Sequence, residues 1–325
     1  MQLNTNAIGK LKAPDAKVNA NAAPWAAKFK PPTGTNTCSG KKGAVNADGS
    51  FDDSDCAEAA INEQAAADVS SPFTGTRATT AQPIKTSYWS AGLCPVNVHW
   101  HLGAEHRSAG QFDETGTGPT AIDWTGKGRA GLRCKLYKAD DPKFTTEYAW
   151  QHCKHMQVGE TYEVHWPHSA LGACGTINQY QTPFYDGVFC NPGELTETQS
   201  QIGVQSQTFT IVNDEDYYYP DLFRGMIVDG EFGKDMVFYT GSTTGDGRNN
   251  GDSCSKWSPI TWQVDRKCHM VSASTFDKMC AEMKAQRDDM SEDLHPHGAR
   301  EVVSAALTAN NMVAGSMTGG RATIP

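Results

Sequence analysis

The chain has no apolar run near the ~20 residues that cross a bilayer as a helix, and its mean hydropathy is −0.53. It also lacks a surplus of positive charge: 28 Lys and Arg stand against 37 Asp and Glu, a net −9. Nucleic acid is held mainly through its phosphates by basic surfaces, so no nucleic-acid partner is expected. No two of the ten cysteines form a Cys-x-x-Cys pair, which argues against a zinc ribbon and a thioredoxin-like redox motif. Met1-Gln2-Leu3 is not followed by the apolar core of a signal peptide, which suits a mature form or a piece of a longer precursor.

The ten cysteines are an even, scattered set among Gly- and Asn-rich stretches. That pattern reads as a disulfide framework made in an oxidising place: an organelle lumen, a periplasm or the extracellular space. Reduced, buried thiols are the plainer alternative. Residues 1–80 show little periodicity and carry turn signals such as Pro31-Pro32-Thr33-Gly34 and Asn46-Ala47-Asp48-Gly49. They read as an irregular N-terminal arm or cap with one short helix near Cys56, pinned by Cys38 and Cys56. Residues 81–325 read as the catalytic domain. There, strand patterns recur at 96–101, 161–166, 207–212, 236–239 and 260–264. Ser272 to Thr275 can cap a helix through Phe276, Met279 and Met283, with the Met279, Met283 and Met290 stripe as its packing face. The expected class is mostly β: a large, twisted, mainly antiparallel sheet with short peripheral helices.

Two segments carry the chemistry. Asn97-Val98-His99-Trp100-His101 and Tyr162-Glu163-Val164-His165-Trp166 both alternate polar and apolar residues, the period of a half-buried strand. Asn97, His99 and His101 then share one face, and Glu163 and His165 share another. If the strands are neighbours, three imidazoles converge with a carboxylate behind one of them. Neutral imidazoles leave a zinc ion its full charge and one open position, a catalytic arrangement. Asn97 and Glu163, each two residues before a histidine, can accept from the ring nitrogen that does not bind metal.

These segments, with Gly103-Ala104-Glu105-His106, resemble the active-site strands of α-class carbonic anhydrases. So do Tyr239-Thr240-Gly241-Ser242-Thr243-Thr244 and Ser258-Pro259-Ile260-Thr261-Trp262. The run from Cys94 to His106 is similar to the signature of δ-class carbonic anhydrases of marine microalgae, as are Lys154 to Gly159 and His295 to Arg300. The resemblance implies an α-carbonic-anhydrase-like fold and zinc-dependent hydration of carbon dioxide to bicarbonate, with Co2+ or Cd2+ as substitute metals. It implies His99, His101 and His165 as ligands, with Asn97 and Glu163 behind them. His106 would make a structural hydrogen bond. Glu105 would pair with Thr243 or Thr244 to orient the attacking oxygen; the loop is one residue short, which leaves the choice of threonine open. Val164, Val212, Ile260 and Trp262 would shape the carbon dioxide pocket. The α-class shuttle histidine has no match, and His152, His155 and His168 are candidates for it. An oligomer or larger assembly stays open.

Other classes fit some of the same residues. His99, His101, Glu105 and His165 have the spacing of a cupin-type oxygenase site, suited to iron or manganese. Its second motif needs a Pro-x-Gly turn that Val158-Gly159-Glu160-Thr161-Tyr162 does not supply. A non-catalytic binding protein on the same fold is a third reading. Trp150 to His155 reads as a loop around a disulfide cysteine before it reads as a second metal site. His295-Pro296-His297 reads as a structural C-terminal loop.

Overall fold

The computed structural model describes residues 83–105, 112–113, 118–119, 131–172, 197–242, 259–286 and 294–297. The arm at 1–80, with Cys38 and Cys56, lies outside the described residues, as do His106, Thr243, Thr244 and Met290.

Among the described residues eight strands run in chain order: β1 (Cys94–Pro95), β2 (His99–Leu102), β3 (Phe112–Asp113), β4 (Arg133–Cys134), β5 (Thr161–Ser169), β6 (Ile202–Val212), β7 (Met236–Ser242) and β8 (Pro259–Ser272). Six of them form one sheet in the order β1-β5-β6-β8-β7, with β2 also on the outer edge of β5. β3 and β4 form a separate ribbon. The helices are α1 (Pro142–Thr145), α2 (Thr198–Gln201) and α3 (Ala273–Gln286), with 3-10 turns at Glu215–Tyr217 and Leu222–Arg224.

The mostly-β expectation holds. Most pairings are antiparallel, while β6 and β8 run parallel. A parallel pair needs a crossover rather than a tight turn, and here β7 lies within it, returning along the outer edge of β8. The sheet is therefore mixed and open.

Alternation divides the sheet into two faces. Val98, Trp100, Leu102, Tyr162, Val164, Trp166 and Phe209 point to one side, where they pack with Phe276, Met279 and Met283 of α3. At ~25 cal/mol per Å2 of apolar surface, this layer is the main source of stability. Polar tips within it are satisfied: Trp166 Nε1–H donates to Leu222 O at 2.9 Å, and Trp100 Nε1–H reaches Met156 Sδ at 3.0 Å. The helix starts where the sequence places it, with Ser272 Oγ accepting the Thr275 N–H at 3.2 Å. Among the described residues, the disulfides Cys134–Cys268 and Cys153–Cys280 tie the β3–β4 ribbon to β8 and the 146–160 loop to α3.

Candidate metal centre

The opposite face of β2 and β5 holds the histidines. In the β2–β5 register His99 lies across from His165 and His101 across from Glu163. Directly paired residues in a ladder share a face and stand ~5 Å apart, so two strands bring three imidazoles together. Their ring centroids are 5.1, 5.2 and 4.7 Å apart. Their ligand atoms all lie within 4.8 Å of one another. His101 and His165 are fully buried and His99 is 8 % exposed.

Each ring is held from behind by its own acceptor. His99 Nδ1–H donates to Asn97 Oδ1 at 2.8 Å. His165 Nε2–H donates to Glu163 Oε1 at 2.7 Å. His101 Nδ1 is 3.1 Å from Glu105 Oε1. Such contacts fix tautomer and orientation and raise the basicity of the opposite nitrogen. Glu163 is itself held by four donors: His165, Ser206 Oγ at 2.7 Å, Glu105 N–H at 2.7 Å and Thr208 Oγ1 at 3.4 Å. Both carboxylates are completely buried. Two ionised carboxylates in this dry volume are costly unless countercharged. A divalent cation among three neutral imidazoles supplies that balance, so the donor set and its charge fit a zinc-type ion.

Glu105 stands beneath the histidines, its second oxygen 3.6 Å from His165 Nε2. Glu105, Glu163 and His165 also bring potential ligand atoms within 4.8 Å of one another, so the carboxylates and the triad form one continuous polar cluster. Gly103 makes this return possible. Its φ is +80°, and a Cβ there would meet Gly131 N at 2.6 Å. The chain bends at that point and lies against 131–132, with Ala104 N–H donating to Leu132 O at 2.7 Å.

The apolar wall comes from β8. Trp262 sits 5.4 Å from the His165 ring at 75°, and Ile260, two residues away and fully buried, shares its face. Val164 is elsewhere: as an odd-step neighbour of His165 it belongs to the apolar layer behind the sheet. Val212 pairs with Ser272, six residues along β6 from Ser206, roughly 20 Å away at strand rise. Neither reaches the site.

The shuttle candidates also lie apart. His168 is three residues from His165 and therefore on the other side of β5, where it packs on Tyr88 at 5.2 Å. Burial is the main force pushing its pKa down to about 4, against a hydrogen bond to Trp166 O. His152 and His155 are exposed on a loop anchored to α3, where Asp277 accepts the His152 and Cys153 N–H groups at 2.8 and 2.9 Å. That loop covers the apolar layer, not the histidine face.

Two residues at the site escape the sequence reading, and a third, His297, is read there only as part of a structural loop. Ser206 and Thr208 clamp Glu163, and only the β5–β6 register reveals it. His297 lies beside the triad, 5.2 Å from His99 and 5.4 Å from His101. Its His-Pro-His setting gives no local signal of that position.

No curated protein matches the chain. The family model described as Delta carbonic anhydrase matches residues 90–275, a span that contains β2, β5, β6 and β8 and every member of the histidine triad. With more than half of its length matched, this chain belongs to the delta carbonic anhydrase family.

Proposed function

We propose that this carbonic anhydrase is a zinc enzyme whose metal is held by His99, His101 and His165, and that it interconverts carbon dioxide and bicarbonate. The observation that carries the reading is the triad itself: three buried imidazoles with ligand atoms within 4.8 Å, each anchored by a separate acceptor. Zinc in such a setting supplies a water that ionises near neutral pH. Asn97, Glu105 and Glu163 hold the ligand rings in one tautomer. Ile260 and Trp262 form an apolar wall that favours a small nonpolar substrate over water. Thr243 and Thr244 are the proposed source of a hydroxyl that orients the attacking oxygen. The proton leaves by a route other than His168, which faces the far side of the sheet. The disulfides suit an oxidising compartment, and we place the protein in an organelle lumen, a periplasm or outside the cell.

The test is stopped-flow hydration of carbon dioxide with metal content measured on the same sample. About one zinc per chain and fast hydration are expected. His165→Ala should lose metal and activity together. Full zinc occupancy in that variant would remove His165 from the ligand set, and a metal-free active wild type would end the reading.

A further inference from the structure

β2 has two edges. β5 covers one, and the segment at 294–297 covers the other. His297 N–H donates to Trp100 O at 2.7 Å, and Leu102 N–H donates to His297 O at 2.7 Å. These bonds form a parallel bridge between His297 and His101. Bridged residues project to the same face, so His297 enters the ligand side from the edge opposite His165. It is 1 % exposed. The strap is fixed at its start, where Leu294 is buried in the apolar layer and its carbonyl accepts the Lys154 N–H at 2.7 Å.

We infer that His297 is a positioning residue of the metal centre, which sets the plane of the His99 ring by stacking on it. This rests on the metal-centre reading above. The two rings are 5.2 Å apart and 19° from parallel, an offset stack. The second torsion of a histidine is broad and roughly two-fold, so a surface parallel to the ring constrains its plane in a way that the Asn97 hydrogen bond and the edge-on rings of His101 and His165 do not. His165 has the near-perpendicular Trp262 ring against it as well as Glu163. His101 lies between His165 and His297, at 4.7 and 5.4 Å. His99 is the most exposed of the three, and the stack with His297 supplies a flat surface parallel to its plane. The same geometry argues against ligation by His297. Imidazole lone pairs lie in the ring plane, so two stacked, near-parallel rings do not aim at one ion. His297 is also outside the group whose ligand atoms converge.

The experiment uses the full oxidised chain and three variants: His297→Phe, His297→Leu and His297→Ala. Zinc affinity is measured by competition with a chelator, the cobalt-substituted visible spectrum reports ligand geometry, and circular dichroism reports the fold. Phe keeps a flat face and no nitrogen, and should stay within about threefold of wild type with a similar cobalt band. Leu and Ala should weaken zinc about tenfold or more, the scale of supporting-shell losses, and alter the band. Should Ala fail to fold, the Phe and Leu pair carries the comparison. Equal affinities and spectra for Phe and Leu overturn the inference, as does a Phe variant as weak as Ala. A wild-type chain that binds neither metal overturns the metal centre itself, and the inference with it.

Discussion

His165 and His168 stand three residues apart on β5 and face opposite sides of the sheet, and their chemistry differs accordingly. His165 is clamped by Glu163 in a polar cluster, whereas burial against Tyr88 holds His168 neutral, its pKa near 4. The linkage has a definite sign. A histidine whose folded pKa is lowered contributes stability above its unfolded pKa of ~6.5, and that stability is lost as the pH falls towards 4. The ceiling for this loss is about 3 kcal/mol, and the ring's partial exposure reduces it. Urea unfolding at pH 7 and pH 4.5 should show a smaller acid penalty for His168→Gln than for wild type. Parallel pH profiles would show that His168 does not titrate with folding.

At the level of elements, the bend after β2 connects sequence to site. Gly103 carries a left-handed φ and a Cβ-sized gap filled by the Gly131 backbone. Gly103→Ala adds a left-handed penalty of ~1–2 kcal/mol to a clash that only backbone movement relieves. Zinc affinity and melting temperature should fall together, because Glu105 and the 131–132 contact move as one. A variant with both at wild-type values would mean that the bend tolerates a side chain. The β2 and β5 patterns were readable because period-two alternation places His99, His101, Glu163 and His165 without further information. The same alternation puts Val164 behind the sheet, in the apolar layer, and not in the pocket that the resemblance implies for it. Ser206, Thr208 and His297 depend on pairings with strands far along the chain. Local residue patterns do not encode such registers, nor the parallel pairing of β6 with β8.

On the scale of the whole molecule, the disulfides Cys134–Cys268 and Cys153–Cys280, both among the described residues, close loops with sequence separations of 134 and 127 residues. Both bridges join the sheet or α3 to segments outside the main strand ladder. Loops of this length contribute about 2–5 kcal/mol per bridge. Reduction with the thiols counted should lower the melting temperature by roughly 10 °C or more. An unchanged melting temperature after full reduction would assign the fold's stability to the apolar layer alone, and would remove the argument for an oxidising compartment. The family match and the mixed, open sheet agree with one another, and the cupin reading loses its support: the matched family is the delta carbonic anhydrases, over residues that include the triad.

The pairing of β2 with β5 also acts as a checksum. A slip of one residue turns every side chain of a strand to the other face. It would send Trp100 into the ligand cluster and His99 and His101 into the apolar layer. A misregistered chain cannot then assemble three nitrogens around an ion, however compact it is. On the proposed zinc centre, metal capture would sort refolded chains by strand register, and zinc added during refolding should enrich the correctly threaded population.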